Sequence, residues 1–123
     1  MYGHDVSVQE FIYCKAFGII LEKVLTIRGI TKNELANSTS LNVSKILKGD
    51  RKVSNDERNN ILEVVRIDDT TWYSMQRDVM ELLLNNETAN SIEIWMVIIH
   101  HIYDEEGKKS KFKTPVDDSK WDS

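Results

Sequence analysis

Gly29-Ile30-Thr31-Lys32-Asn33-Glu34-Leu35-Ala36, followed by Val43-Ser44-Lys45-Ile46-Leu47-Lys48-Gly49-Asp50-Arg51, is the stretch whose reading decides the fold. Gly29 suits the left-handed conformation that ends a helix. Thr31 then stands three positions before Glu34, the spacing of a capping box. In that motif the hydroxyl takes the backbone N–H of the third helical residue, and the carboxylate returns to the cap's own N–H. A helix therefore starts at Thr31 and carries Leu35-Ala36. It fades in Asn37-Ser38-Thr39-Ser40, whose short polar side chains compete for backbone hydrogen bonds. A short third helix, residues 42–48, follows and stops at Gly49. Val43, Ile46 and Leu47 are spaced i, i+3, i+4 and share its inward face. Asn42, Ser44, Lys45 and Lys48 are left outward.

Working outward, Ser54 and Glu57 repeat the capping box and open a fourth helix that buries Ile61, Leu62 and Val65. Upstream, Ile12, Ala16, Ile19, Ile20, Val24 and Ile27 keep helical spacing. This first helix opens at another box, Ser7 and Glu10, and ends at Arg28-Gly29. Gly18 is read as a point where it bends or divides. Downstream, Trp72, Met75, Val79, Leu82 and Leu83 form the apolar stripe of a fifth helix that ends near Asn85-Asn86. Residues 91–103 are rich in β-branched Ile and Val, which suits a strand. The run has no partner strand, and Asn90 with Glu93 is a helix-start signal, so a sixth helix is expected. From Gly107 onward the chain reads as a polar tail. One proline and five glycines are sparse punctuation for a β fold. The expected class is all-α, with a unit over 1–70, a helical packing or dimerisation segment over 71–106, and a flexible tail over 107–123.

Residues 29–51, with the Ser54-capped helix ending Val64-Val65-Arg66-Ile67-Asp68, resemble the Cro/C1-type (XRE, lambda-repressor-like) helix-turn-helix family. Leu35-Ala36, Ser44, Ile46, Gly49 and Arg51 carry the resemblance, which covers residues 20–70. It implies a lambda-repressor-like bundle with two additional C-terminal helices, acting as a bacterial or phage transcriptional regulator. The turn glycine common in the family is absent, and Ser40 stands nearest. The interval from Leu35 to Gly49 is also shorter than usual, and Lys32 replaces a frequent Gln.

The residue chemistry agrees with a DNA-binding reading. Asn and Lys can hydrogen-bond base edges in the major groove, and Ser can reach bases or phosphates. Asn42, Ser44, Lys45 and Lys48 are the candidates on the third helix. Lys32, beside a helix N-terminus, and Arg51 and Lys52, after the third helix, are candidates for phosphate contact. The bland alternative is a helical hairpin whose surface is polar as surfaces are. One small unit offers little base contact, so a homodimer on two half-sites of double-stranded DNA is expected. Trp72, Trp95, Met96 and Tyr103 are the candidate dimerisation residues, or they complete the chain's own core. A second function class is a helix-turn-helix scaffold that binds a protein, as in an antirepressor, an antitoxin or an inhibitor of a host protein. A third is a regulator with a small-molecule pocket between the fourth, fifth and sixth helices.

Charge distribution separates the halves. The net charge is −4, yet residues 20–66 carry nine basic against six acidic side chains, and residues 67–123 carry six against twelve. Cys14 is the single cysteine, which excludes an intramolecular disulfide and favours a cytoplasmic setting. It is expected to pack in its helix rather than act as a nucleophile. The start lacks the pattern of a signal peptide, and no apolar run is long enough to span a membrane. His100-His101 with Asp104 and Glu105 is too sparse for a metal site, and no cofactor motif or catalytic constellation is found, so an enzyme is not expected. The Lys108–Lys113 cluster offers nonspecific phosphate attraction or simply a solvated tail. Trp121 is a docking or a disordered residue.

Overall fold

Two capping boxes fix the middle of the molecule as they are spaced in the sequence. Thr31 Oγ1 accepts the N–H of Glu34 at 3.1 Å, and Glu34 accepts the N–H of Thr31 at 3.2 Å. Ser54 and Glu57 repeat this at 3.2 and 3.0 Å. The chain, seen in a computed structural model that describes residues 2–85 and 91–113 and the side chains of 9–85 and 92–104, contains six helices and no strand among the described residues. They are α1 (Tyr2–Arg28), α2 (Lys32–Thr39), α3 (Val43–Lys48), α4 (Asn55–Val65), α5 (Asp69–Asn85) and α6 (Ser91–Lys113). None of the described helices is long and apolar enough to cross a membrane.

The residues buried from all six helices' span form one cluster. α1 supplies Phe17, Ile20, Leu21 and Val24, α5 supplies Trp72, Met75 and Val79, and α6 supplies Ile94, Ile98 and Ile102. The Phe17 and Trp72 rings lie 4.9 Å apart at 53°, an arrangement in the range that tilted aromatic pairs prefer. Core packing therefore crosses the expected boundary at residue 70, which falls in the first turn of α5. The inward face of α1 is also wider than the isoleucine spacing implied. Phe17, Leu21 and Leu25 are buried, while Ile12 and Ile19 are half-buried and Ile27 is exposed.

Three helix boundaries differ from expectation. Ser7 lies inside α1, which begins at Tyr2, since extending a nucleated helix costs far less than starting one. α1 also passes through Gly18 as one helix. A Cβ at Gly18 would stand 2.5 Å from the Leu47 carbonyl oxygen and 2.7 Å from that of Ile46, so this glycine serves the close approach of α3. α6 continues past Gly107 to Lys113. Residues 91–103 are helical, as expected. The Asn90 cap, the tail from residue 114 with Trp121, and the side chains of Glu105 and the Lys108–Lys113 cluster lie outside the described residues.

Candidate functional site

The α2–α3 pair is joined by residues 40–42, and the turn is made without glycine. Ser40 takes the left-handed conformation, φ 59°, and its N–H closes on the carbonyl of Ala36. Asn42 then caps α3, its Oδ1 accepting the N–H of Lys45 at 3.3 Å. Gly49 ends α3 at φ 75°, donating to the carbonyl of Ile46. Val43 and Ile46 are buried and Leu47 is half-buried, so the short helix is anchored along one side.

α1 holds this pair from behind. Lys15 Nζ donates to the Lys48 carbonyl at 2.6 Å, and lies 4.0 Å from Asp50. A cation at the last carbonyls of a helix satisfies acceptors that have no intrahelical donor. Arg28 does the same for α4, with Nε donating to Val65 O at 3.0 Å and Nη2 to Arg66 O at 3.2 Å. Neither residue was singled out by its sequence position. Each was legible only as a base on an amphipathic helix, because its partner lies 33 or more residues away.

The seven residues expected to meet DNA divide by what already holds them. Lys32, Ser44, Lys45 and Lys48 are exposed. Lys32, Lys45 and Lys48 form no ion pair with another described residue. Arg51 is engaged: its Nη2 lies 2.6 Å from Glu57 Oε2. That guanidinium, with the Ser54 N–H, holds the Glu57 carboxyl at about 2 rather than 4.5. Arg51 thus ties the end of α3 to the start of α4. Lys52 stands 3.5 Å from Glu10, both exposed, a kind of pair that contributes little. Asn42 uses in its cap the oxygen that two-point recognition of adenine requires. At the α2 N-terminus the capping box takes up the N–H groups of Thr31 and Glu34, and Lys32 adds its ammonium group beside that helix end.

The expected dimerisation residues also divide. Trp72 is fully buried against Phe17 and belongs to the chain's own core, the second of the two roles open to it. Trp95 is half-buried beneath Lys23, whose Nζ lies 5.2 Å from the ring centroid. Met96 and Tyr103 are exposed at 66% and 68%.

His101 faces Asp78 of α5 at 2.7 Å, and His100 lies 3.4 Å from Asp104. No group of three metal-ligating side chains occurs among the described residues. Cys14 is half-buried, not a core residue. Burial, and secondarily Glu10, raises its thiol pKa, and burial raises that of Tyr13. A cavity of about 610 Å³ opens between α1, α4 and α5, lined by Tyr13, Arg58, Trp72, Tyr73, Gln76 and Met80 among others. Its lining includes no described residue of α6, whereas a small-molecule-responsive regulator would need a pocket between α4, α5 and α6. Trp72 Nε1 and Gln76 Oε1 are buried without a hydrogen-bond partner. No protein-family model, no curated protein and no solved structure matches this chain.

Proposed function

We propose that the chain is a sequence-specific DNA-binding regulator of the helix-turn-helix kind, with α2 and α3 as the DNA-binding pair and α3 in the major groove. One observation carries this reading. Nearly every other described base in the chain is held by an in-chain partner, whereas Lys32, Lys45 and Lys48 on α2 and α3 are exposed without an ion pair. Unneutralised lysines on an acidic protein are what counterion release from a phosphate backbone needs. Lys45 and Lys48, with Ser44, are the groups offered to base edges and phosphates. Lys32 and the weakly paired Lys52 are offered to the backbone. Arg51 acts through Glu57 as a positioning residue. Such a small reading surface is used as a homodimer on two half-sites.

A second reading, a scaffold for a protein partner, is favoured by the net charge of −4 and by the commitment of Asn42 and Arg51 to in-chain roles. A fluorescence titration with own-promoter and random duplexes at two salt concentrations separates the two. The DNA reading predicts tighter binding to the promoter, and affinity falling with salt. Lys45→Ala and Lys48→Ala each weaken binding with the helical circular dichroism unchanged, and the loss of a lysine that contacts a phosphate lowers the salt slope by about one. Absence of binding to either duplex at low salt, or unchanged affinity in both variants, assigns the pair to the protein-binding reading.

A further inference from the structure

One face of α6 is occupied and another is not. Ile94, Ile98 and Ile102 are buried in the core, and His101 pairs with Asp78. Ile92, Met96, Ile99 and Tyr103 are exposed at 68, 66, 36 and 68%. Their spacing of four, three and four is that of a two-helix seam, which repeats every 3.5 residues. A core-facing helix needs only one apolar stripe, so the second has no role within the described chain.

We propose that this stripe is the contact between two copies of the chain, with the two α6 helices antiparallel about a two-fold axis. The order of the four residues selects a second copy. Laid antiparallel in one register, Ile92 meets the second copy's Tyr103, and Met96 meets its Ile99. The same two layers then recur in reverse, so all four residues are matched with no polar residue in the seam. An interface of this kind is self-complementary, as a two-fold contact must be. The charged flank agrees. Glu93 and His100 lie on the same side of the stripe, one residue beyond Ile92 and Ile99. The antiparallel register sets Glu93 against the second copy's His100 at both ends. Glu93 and His100 also have contacts in their own chain, so this pair serves register more than strength. Trp95, half-buried on the opposite flank, closes the apolar side.

The four side chains and their flanks can cover on the order of 1,000 Å² in total, at the lower edge of specific interfaces. An interface of that size is expected to be reversible. The seam supplies the homodimer of the DNA reading and rests on it in that respect, but it uses none of the residues of the α2–α3 pair, so loss of the dimer and loss of DNA contact by Lys45 and Lys48 are read separately.

The full chain is tested by sedimentation velocity from about 1 µM to about 1 mM, the range such an interface spans. The expected result is a concentration-dependent monomer–dimer equilibrium. Met96→Asp raises the dissociation constant about tenfold or more, as loss of a central apolar anchor does, with helical content unchanged. Orientation is read in a Cys14→Ala background by mixing a Met96→Cys chain with an Ile99→Cys chain under mild oxidation. The antiparallel register gives the mixed disulfide, and a parallel one gives the two homodimeric disulfides. A monomer throughout the range, an unaffected dimer in Met96→Asp, or predominance of the homodimeric disulfides would each overturn the proposal.

Discussion

At the residue scale, two non-glycine residues among those described sit in the left-handed region, Ser40 and Arg66, both at φ 59°. Each ends a helix, and each pays for its Cβ by about 1 kcal/mol relative to glycine. Ser40→Gly should therefore raise stability by about 0.5–1 kcal/mol in thermal melting; a lowered melting temperature would mean that the serine hydroxyl stabilises the turn. Glu57 supplies the pH prediction. Its folded pKa, about 2, lies below the ordinary 4.5, first through the hydrogen bond from Arg51 and then through the Ser54 N–H. A depressed carboxyl stabilises the fold fully above its unfolded value and loses that contribution as pH falls through its folded value. Stability should decline between pH 4.5 and 2, and Glu57→Gln should flatten that part of an acid titration of melting temperature. An unchanged acid limb would place the loss in other carboxylates.

At the element scale, Gly18 sets helix propensity against helix packing. In isolation, Gly→Ala inside a helix stabilises by about 1 kcal/mol. Here the added Cβ would stand 2.5 to 2.9 Å from backbone atoms of Ile46 and Leu47. Backbone cannot yield as a side chain tip can, so α1 and α3 must separate. Gly18→Ala is expected to destabilise by about 1–3 kcal/mol, the cost of overpacking, measured by urea unfolding; a stabilised variant would show that α3 shifts freely. The sequence marked Gly18 as a weak point of the helix. The structure explains it as the contact point of two helices, a relation that no periodicity within α1 contains. The same limit applies to Lys15 and Arg28, whose acceptors are the C-terminal carbonyls of α3 and α4.

At the scale of the whole molecule, the buried residues form one cluster to which α1, α5 and α6 all contribute. Such a core opens as a unit. Thermal unfolding followed by far-ultraviolet circular dichroism and by tryptophan fluorescence should give coincident single transitions, because Trp72 sits in the cluster that α1 and α5 share. Two separated transitions would instead place α6 outside the cooperative unit. Charge follows a different division from the core. Among the described residues, the exposed lysines without an ion pair lie on α2 and α3, while most of the acids lie after residue 66.

The helix starts at Thr31 and Ser54, the stops at Gly29 and Gly49, and the inward faces of α3, α4 and α5 were determined by the sequence itself. Caps and apolar periodicity act over three or four residues, so the local chain contains the whole interaction. The helical identity of residues 91–103 was legible for a related reason: the run has no strand to pair with. What only the tertiary structure decided is which groups remain available. Arg51 is drawn to Glu57, Asn42 is spent on its cap, Trp72 is buried, and Met96 and Tyr103 stay exposed. Those outcomes depend on where distant helices pack, and side chains of one residue type become core, clamp or open surface by the neighbours that packing brings to them.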